Sequence, residues 1–316
     1  MKIVALAGGV GGAKLAEGLA QVLPPDDLTV VVNTGDDFRI YGLYVSPDLD
    51  TVCYTLAGLN NPATGWGRRD ETWNAVDNAA RLGGPGWFRI GDQDFGTHLE
   101  RTRRLKEGQA LSQITADFCR AWGIPQRVIP MSDEPISTIV ETVEHGNLPF
   151  QNYFVEHGCQ PRVSGFHFEG VDRAKPAPGV LPAIEQADLV VICPSNPWVS
   201  INPILAVPGL RDAIAEKPVI AVSPIIEGKV IKGPAAKMFA ELGIHPSAKA
   251  VADHYGSLLA GFVLDQADQN LVEAFQGSGI IPLTANTIMV SAEDRKRVAQ
   301  EVIGFGDNIR RSAVSL

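Results

Sequence analysis

The chain has 316 residues, 45% apolar and 20% charged, with a formal net charge of -9. That composition supports a globular core and excludes bulk disorder, and the acidic balance argues against a nucleic-acid binder, which needs a basic face. No apolar run approaches the ~20 residues of a membrane span, and Cys53, Cys119, Cys159 and Cys193 form no C-x-x-C pair. A cytoplasmic, soluble protein with reduced thiols is expected.

Residues 2–7 form a short apolar run that reads as a buried parallel strand. Gly8-Gly9-Val10-Gly11-Gly12-Ala13-Lys14 follows, and Leu15, Leu19 and Val22 then recur at helical spacing until Pro24-Pro25. A strand, a Gly-rich turn and a helix N-terminus present bare N–H groups to an anion. The standard nucleotide motifs fail, because Lys14 stands where the dinucleotide fingerprint needs Gly and Leu15 where the P-loop needs a hydroxyl. A tight turn without ligand is the competing reading. Four glycines in five residues favour anion binding, with Gly8, Gly9, Gly11, Gly12 and Lys14 as candidates.

The β-prone run 28–32 ends in Asn33-Thr34-Gly35-Asp36-Asp37, and Ser46-Pro47-Asp48-Leu49-Asp50 follows. Four carboxylates crowded after a strand call for a cation, donors or substrate, which suggests a divalent-metal and phosphate site. Residues 48–59 have helical spacing, so Asp48 is also a candidate N-cap and Asp50 a first-turn acid. The segment 61–87 carries Trp66, Arg68, Arg69, Trp73 and Trp87, suited to a flat heteroaromatic ligand or to an interface. Arg89-Ile90-Gly91-Asp92-Gln93-Asp94 and His98 precede a helix expected over 99–106. His98 is a candidate base or phosphate donor, or a helix N-terminal residue bonded to Asp94. A further helix is expected over 111–122.

After a strand at 126–130 the pattern turns β-like, with strands expected at 138–143, 150–155 and 162–168. The α/β rhythm returns with a helix at 181–186 and a strand at 188–193 that ends in Pro194-Ser195-Asn196-Pro197. A helix at 208–216 leads to a strand at 218–222 ending in Ser223-Pro224. Helices at 248–259 and 266–275, strands at 261–264 and 279–282 and a helix at 292–305 finish the chain. The expectation is an α/β, Rossmann-like, doubly wound and mostly parallel sheet, one domain over 1–316, with a small β-containing subregion inserted at about 131–170. The polar strand ends would converge on one crevice, whose contents suit phosphoryl or phosphodiester transfer.

Six ordered motifs, from Gly8-Gly9-Val10-Gly11-Gly12 through Asn33-Thr34-Gly35-Asp36-Asp37, Ser46-Pro47-Asp48-Leu49-Asp50, Pro130-Met131-Ser132-Asp133 and Pro194-Ser195-Asn196-Pro197 to Ser223-Pro224-Ile225, resemble the 2-phospho-L-lactate transferase family of coenzyme F(420) biosynthesis. The resemblance covers nearly the whole chain. It implies transfer of a phospho-three-carbon acid from its guanosine diphosphate ester to the terminal ribityl hydroxyl of the deazaflavin Fo, with release of GMP, a requirement for Mg²⁺ and a homodimer. It implies that Asp50 serves the chemistry, the metal and the deazaflavin, and that Arg89 is the other deazaflavin contact. Asp37 would hold metal or the ribityl chain, and Trp66 would cover the ring. The glycines with Lys14, Asn33, Ser195, Asn196 and Ser223 would meet the guanine nucleotide and its phosphates. Relatives commonly have Arg where this chain has Gln93, so Arg89 or Arg103 compensates, or the acid preference differs. Sequence does not distinguish 2-phospholactate, phosphoenolpyruvate and 3-phosphoglycerate. The rival readings are a nucleotide-binding regulatory protein of a related branch and a metal-dependent nucleotidyltransferase.

Overall fold

The structure, a computed structural model, describes residues 1–230 and 233–314, the last two as backbone only. Strand β1 (Ile3–Ala7) is five buried residues, as a strand covered on both faces requires. Helix α1 (Gly9–Val22) starts inside the glycines rather than after them. Strand β2 (Leu28–Val32) is again wholly buried. Strands β3 (Phe38–Ile40) and β4 (Leu43–Val45) form a hairpin. Its two loop residues, Tyr41 and Gly42, have φ of 52° and 73°, the left-handed pair that a tight hairpin favours. Helix α2 (Pro47–Leu56) opens with Pro47 in its first turn. Helices α3 (Asn74–Arg81), α4 (Asp92–Lys106) and α5 (Leu111–Ala121) follow, then strand β5 (Arg127–Pro130).

Strands β6 (Ser137–Thr142), β7 (Gly146–Pro149) and β8 (Val163–Glu169) form a separate antiparallel sheet in the order β7-β6-β8, where the β-type subregion was expected. The strand expected at 150–155 is instead a helical turn, Asn152–Glu156. Phe150 and Phe154 stack at 5.4 Å, four residues apart, so their aromatic enrichment carries a helical contact.

The second half alternates helix and strand: α6 (Val180–Gln186), β9 (Leu189–Ile192), α7 (Asn202–Ala206), α8 (Leu210–Ala215) and β10 (Val219–Val222). A small hairpin of β11 (Ile225–Ile226) and β12 (Lys229–Val230) precedes α9 (Ala235–Glu241), α10 (Ala248–Tyr255), β13 (Gly261–Asp265), β14 (Ile281–Ala285) and α11 (Ala292–Val314). The helix expected at 266–275 is 3₁₀.

Seven strands pair in parallel in the order β14-β13-β10-β9-β1-β2-β5. From β5 the sequence order runs 3-2-1-4-5-6-7, the doubly wound arrangement that reverses direction between β1 and β9. Alternation along β1 divides the core. Val4 and Leu6 pack with Val180, Ile184 and Phe239 on one face. Ile3, Ala5 and Ala7 pack with Leu15, Leu19 and Val298 on the other. No helix among the described residues is long and apolar enough to cross a membrane.

Candidate active site

At the switch point the turns after β1 and β9 face each other. The buried Ser195 hydroxyl accepts from the Gly8 N–H at 3.2 Å and donates to the Gly8 carbonyl at 2.8 Å. Gly9 donates its N–H to Asp48 Oδ1 at 2.7 Å. Asn33 Nδ2 donates to Asp48 Oδ2 at 2.9 Å and to the Val199 carbonyl at 3.1 Å. The N-cap of α2 is Ser46 rather than Asp48, which is the second residue of the helix. The capping expected of it is exerted on α1 instead, where the carboxylate also meets the positive end of the helix dipole.

The glycines answer to packing. A Cβ on Gly11 would lie 2.1 Å from the Pro194 carbonyl oxygen, one on Gly12 2.6 Å from Ser195 Oγ, and one on Gly8 2.5 Å from Asp48 Oδ2. They let the helix and the strand-end turns approach, as close helix–strand contact in this fold demands. Three other candidates already bond within the protein. Lys14 Nζ donates to the Met289 carbonyl at 2.7 Å. Asn196 Oδ1 accepts from the N–H of Trp198 at 3.0 Å and of Val199 at 3.4 Å. Ser223 Oγ closes its own turn onto Ile225, donating to the carbonyl at 2.8 Å.

The acids are unevenly compensated. Ser46 Oγ donates to Asp37 Oδ2 at 2.7 Å, while Oδ1 of Asp36, Oδ1 of Asp37 and the hydroxyls of Thr34 and Thr138 are buried with no hydrogen-bond partner among the described residues. Burial and the neighbouring Asp48 carboxylate push Asp36 well above the ordinary carboxylate range. Burial lifts Asp37 in the same direction, against bonding from Ser46 and the charge of Arg101. Burial raises Asp48 to about 6 despite the donors Asn33 and Gly9. Such a cluster favours protons or a bound cation.

Asp50 is held differently. Buried Arg101, from α4, grips both of its oxygens: Nη1 donates to Oδ2 at 3.0 Å and Nη2 bonds Oδ1. Arg101 Nη1 also lies 3.3 Å from His98 Nδ1. His98 Nε2 is 3.3 Å from Asp94 Oδ2, and Tyr54 donates its hydroxyl to Asp94 Oδ1 at 2.6 Å. Burial alone would raise Asp94, but His98, Tyr54 and Arg101 outweigh it and hold the carboxyl below its ordinary range. Ligand atoms of Asp50, Asp94 and His98 lie within 4.8 Å of one another. The expected partner Asp37 lies outside that group, although its charge is felt beside Asp50 and Arg101.

Asp94 leads to a cleft, which it lines with Asn61, Trp66, Arg68, Trp73 and Arg89. Trp66 is 50% exposed. Arg89 stacks its guanidinium 4.5 Å from the Trp73 ring centre and reaches Asp77 at 3.3 Å. Reciprocal caps fasten the cleft loop to α4. Glu71 accepts from the N–H groups of Gln93 and Asp94 at 2.9 and 2.7 Å. Asp92 accepts from the N–H groups of Asn74 and Ala75 at 3.1 and 3.0 Å. Gln93 Nε2 donates to the carbonyls of Arg69 and Asp70 at 3.3 and 3.1 Å. Asp37 and Asp50 therefore lie together, as do Trp66 and Arg89, and the link between the two pairs runs through His98 and Asp94. Arg101 and Glu71 join the site with no local sequence signal to mark them, their partners lying 51 and 22 residues away.

A doubly wound parallel sheet with a helix N-terminus, polar turns and buried carboxylates at its switch point defines a Rossmann-like α/β enzyme. The chain belongs to the 2-phospho-L-lactate transferase CofD family, whose model matches residues 3–303. It is similar to a phosphoenolpyruvate transferase of Streptomyces griseus, 44% identical over 98% of this chain and 100% of the relative. A 2-phospho-L-lactate transferase of Methanosarcina acetivorans is 38% identical over 97% and 100%. Two crystal structures of a Bacillus halodurans protein, one titled as a UPF0052 family member, share the fold with TM-scores of 0.64 and 0.61. They are 16% and 15% identical and cover 96% of this chain and 99% and 98% of their own.

Proposed function

We propose that the chain transfers a phospho-three-carbon acid from its guanosine diphosphate ester to the ribityl hydroxyl of Fo, releasing GMP, in coenzyme F(420) biosynthesis. The observation that carries this reading is family membership over residues 3–303, joined to a cleft lined by arginine and tryptophan side chains that adjoins the Asp50 network. The acid is phosphoenolpyruvate rather than 2-phospholactate. Relatives named for phosphoenolpyruvate share 42–45% identity, whereas those named for 2-phospho-L-lactate share 37–38%.

The deazaflavin ring lies against Trp66 and Arg89, a pairing of aromatic face and cation suited to a flat heteroaromatic ligand. Its ribityl chain runs past Asp94 toward Asp50, which orients the attacking hydroxyl and takes its proton as the bond to phosphorus forms and GMP leaves. The guanine nucleotide occupies the switch point, among Gly8, Gly9, Gly11, Gly12, Lys14, Asn33, Ser195, Asn196 and Ser223. The N–H groups of Gly8 and Gly9 already have protein acceptors, so the remaining first-turn N–H groups of α1 serve the phosphates.

The residues present fit Mg²⁺. Asp37 offers a buried oxygen without a hydrogen-bond partner among the described residues, and a carboxylate such as Asp50 retains lone pairs beyond those an arginine takes. Asp37 and Asp50 would hold the ion, which would supply charge neutralisation for cleavage of the diphosphate ester. The protein is expected to act in the cytoplasm as a homodimer.

The test is incubation with Fo, guanylylated phosphoenolpyruvate and Mg²⁺. GMP release that requires Fo supports the proposal. GTP turnover with pyrophosphate release, and no reaction of Fo, would favour the nucleotidyltransferase instead.

A further inference from the structure

Arg101 is among the largest fully buried side chains of the protein. Burying a guanidinium is costly unless partners compensate it. One partner is Asp50, gripped through both terminal nitrogens. The second is a histidine, whose ring has no net negative charge to offer. Nδ1 of His98 lies 3.3 Å from Arg101 Nη1, closer than its 3.6 Å to Asp50 Oδ2.

That contact decides a tautomer. A guanidinium has only donors. Bonded to Nη1, Nδ1 must accept through its lone pair, so the ring proton resides on Nε2. Nε2 faces Asp94 Oδ2 at 3.3 Å. Asp94 takes its other bond from Tyr54 at 2.6 Å and stands on the wall of the cleft. A single buried side chain thus fixes both the Asp50 carboxylate and the His98 ring, whose Nε2 lies beside Asp94 without a hydrogen bond to it among the described residues.

We infer that Arg101 is the positioning residue of the transfer site, holding Asp50 in one orientation and fixing His98 as the Nε2–H tautomer aimed at Asp94. This rests on the reading of Asp50 as the group that orients the attacking hydroxyl. Lysine keeps the charge at position 101 but is a point donor, without the planar fork that serves Asp50 and His98 together. Glu100 and Arg103 on the same helix pair with each other at the surface and do not enter the arrangement. The groups that face His98 are Asp50 from α2 and Asp94 and Arg101 from α4.

Two measurements on the full chain test it. Long-range ¹H–¹⁵N spectra of the imidazoles, with His98→Asn to assign the signal, report the tautomer without any substrate. A His98 protonated at Nε2 and bare at Nδ1 is expected, with that pattern lost in Arg101→Lys. A proton on Nδ1 in the parent protein overturns the inference. In steady-state assays, Arg101→Lys should lower kcat by about 100-fold while KM for Fo stays within about threefold, a split expected of lost orientation. Arg101→Lys combined with Asp94→Asn should cost little more than the worse single variant. Loss in kcat matched by an equal loss in Fo binding, or additive losses in the double variant, would mark Arg101 as structural only and overturn the positioning role. A parent chain inactive toward Fo would refute the proposed function, while the tautomer spectra would still decide the inference.

Discussion

Replacing Asp50 with Asn separates its structural from its chemical part. Asp50 and Arg101 are 5% and 2% exposed, and two guanidinium contacts join them. Asn keeps the shape and one acceptor oxygen but turns an NH₂ toward a nitrogen donor. Leaving a buried charge without its partner costs about 3–5 kcal/mol, and the retained acceptor returns about 1 kcal/mol. A loss of about 3 kcal/mol remains, inside the 5–15 kcal/mol available to a typical domain. The Asp50→Asn protein should therefore fold with a lowered Tm. Turnover should fall further than stability predicts, by about 10²–10⁴-fold, the range for losing a positioned carboxylate that takes part in proton transfer. Thermal unfolding and GMP release measured on one preparation read the two effects together. A folded Asp50→Asn variant with turnover within about threefold of the parent would refute the role given to Asp50.

Three further outcomes follow from the site. Gly11→Ala places a Cβ 2.1 Å from the Pro194 carbonyl oxygen, so it should lower stability by about 1–3 kcal/mol; an unchanged melting curve would contradict the close packing. Asp48, raised to about 6 by burial, keeps its proton in the folded state where an unfolded Asp has lost it near pH 4. Its contribution is therefore present below pH 4 and lost as pH rises toward 6, costing on the order of 3 kcal/mol. Asp36 and Asp37 shift in the same direction. Urea unfolding in EDTA should show lower stability at pH 7.5 than at pH 5, recovered in part by Mg²⁺; equal stability at both would count against the crowded acids. Gln93→Ala removes the bonds to the carbonyls of Arg69 and Asp70 and should raise the Kd for Fo about three- to tenfold, read by deazaflavin fluorescence, with Tm nearly unchanged. No change in Kd would separate this loop from the ligand.

The sheet was legible because its strands are short apolar runs ended by polar turns. The runs 28–32 and 218–222 match β2 and β10 nearly residue for residue. Errors arose where distant partners set the ends of elements. Helix α4 was expected to begin at Leu99, but Glu71, some twenty residues upstream, caps it at Asp92. Helix α3 went unrecognised because Asp92, far along the chain, supplies its cap. Helix α11 runs past the expected end at 305, and the bare Gly306 within it allows the approach to Leu189 that a Cβ would block at 2.3 Å. In the site, the acids announced themselves by their crowding. Arg101 did not, since its bond to Asp50 spans 51 residues and local spacing carries no trace of it. Gln93 looked like a missing arginine, and the structure gives it a separate task in fastening the cleft loop.

The product formed on Fo reports both the proposed transfer of a phospho-acid and the identity of that acid. The purified chain with Mg²⁺, Fo and equal amounts of guanylylated phosphoenolpyruvate and guanylylated 2-phospholactate should yield, by mass spectrometry, chiefly the enolpyruvyl phosphodiester of Fo, two hydrogens lighter than its lactyl counterpart. A product dominated by the lactyl form would contradict the choice of acid, and unmodified Fo with both donors intact would contradict the function itself.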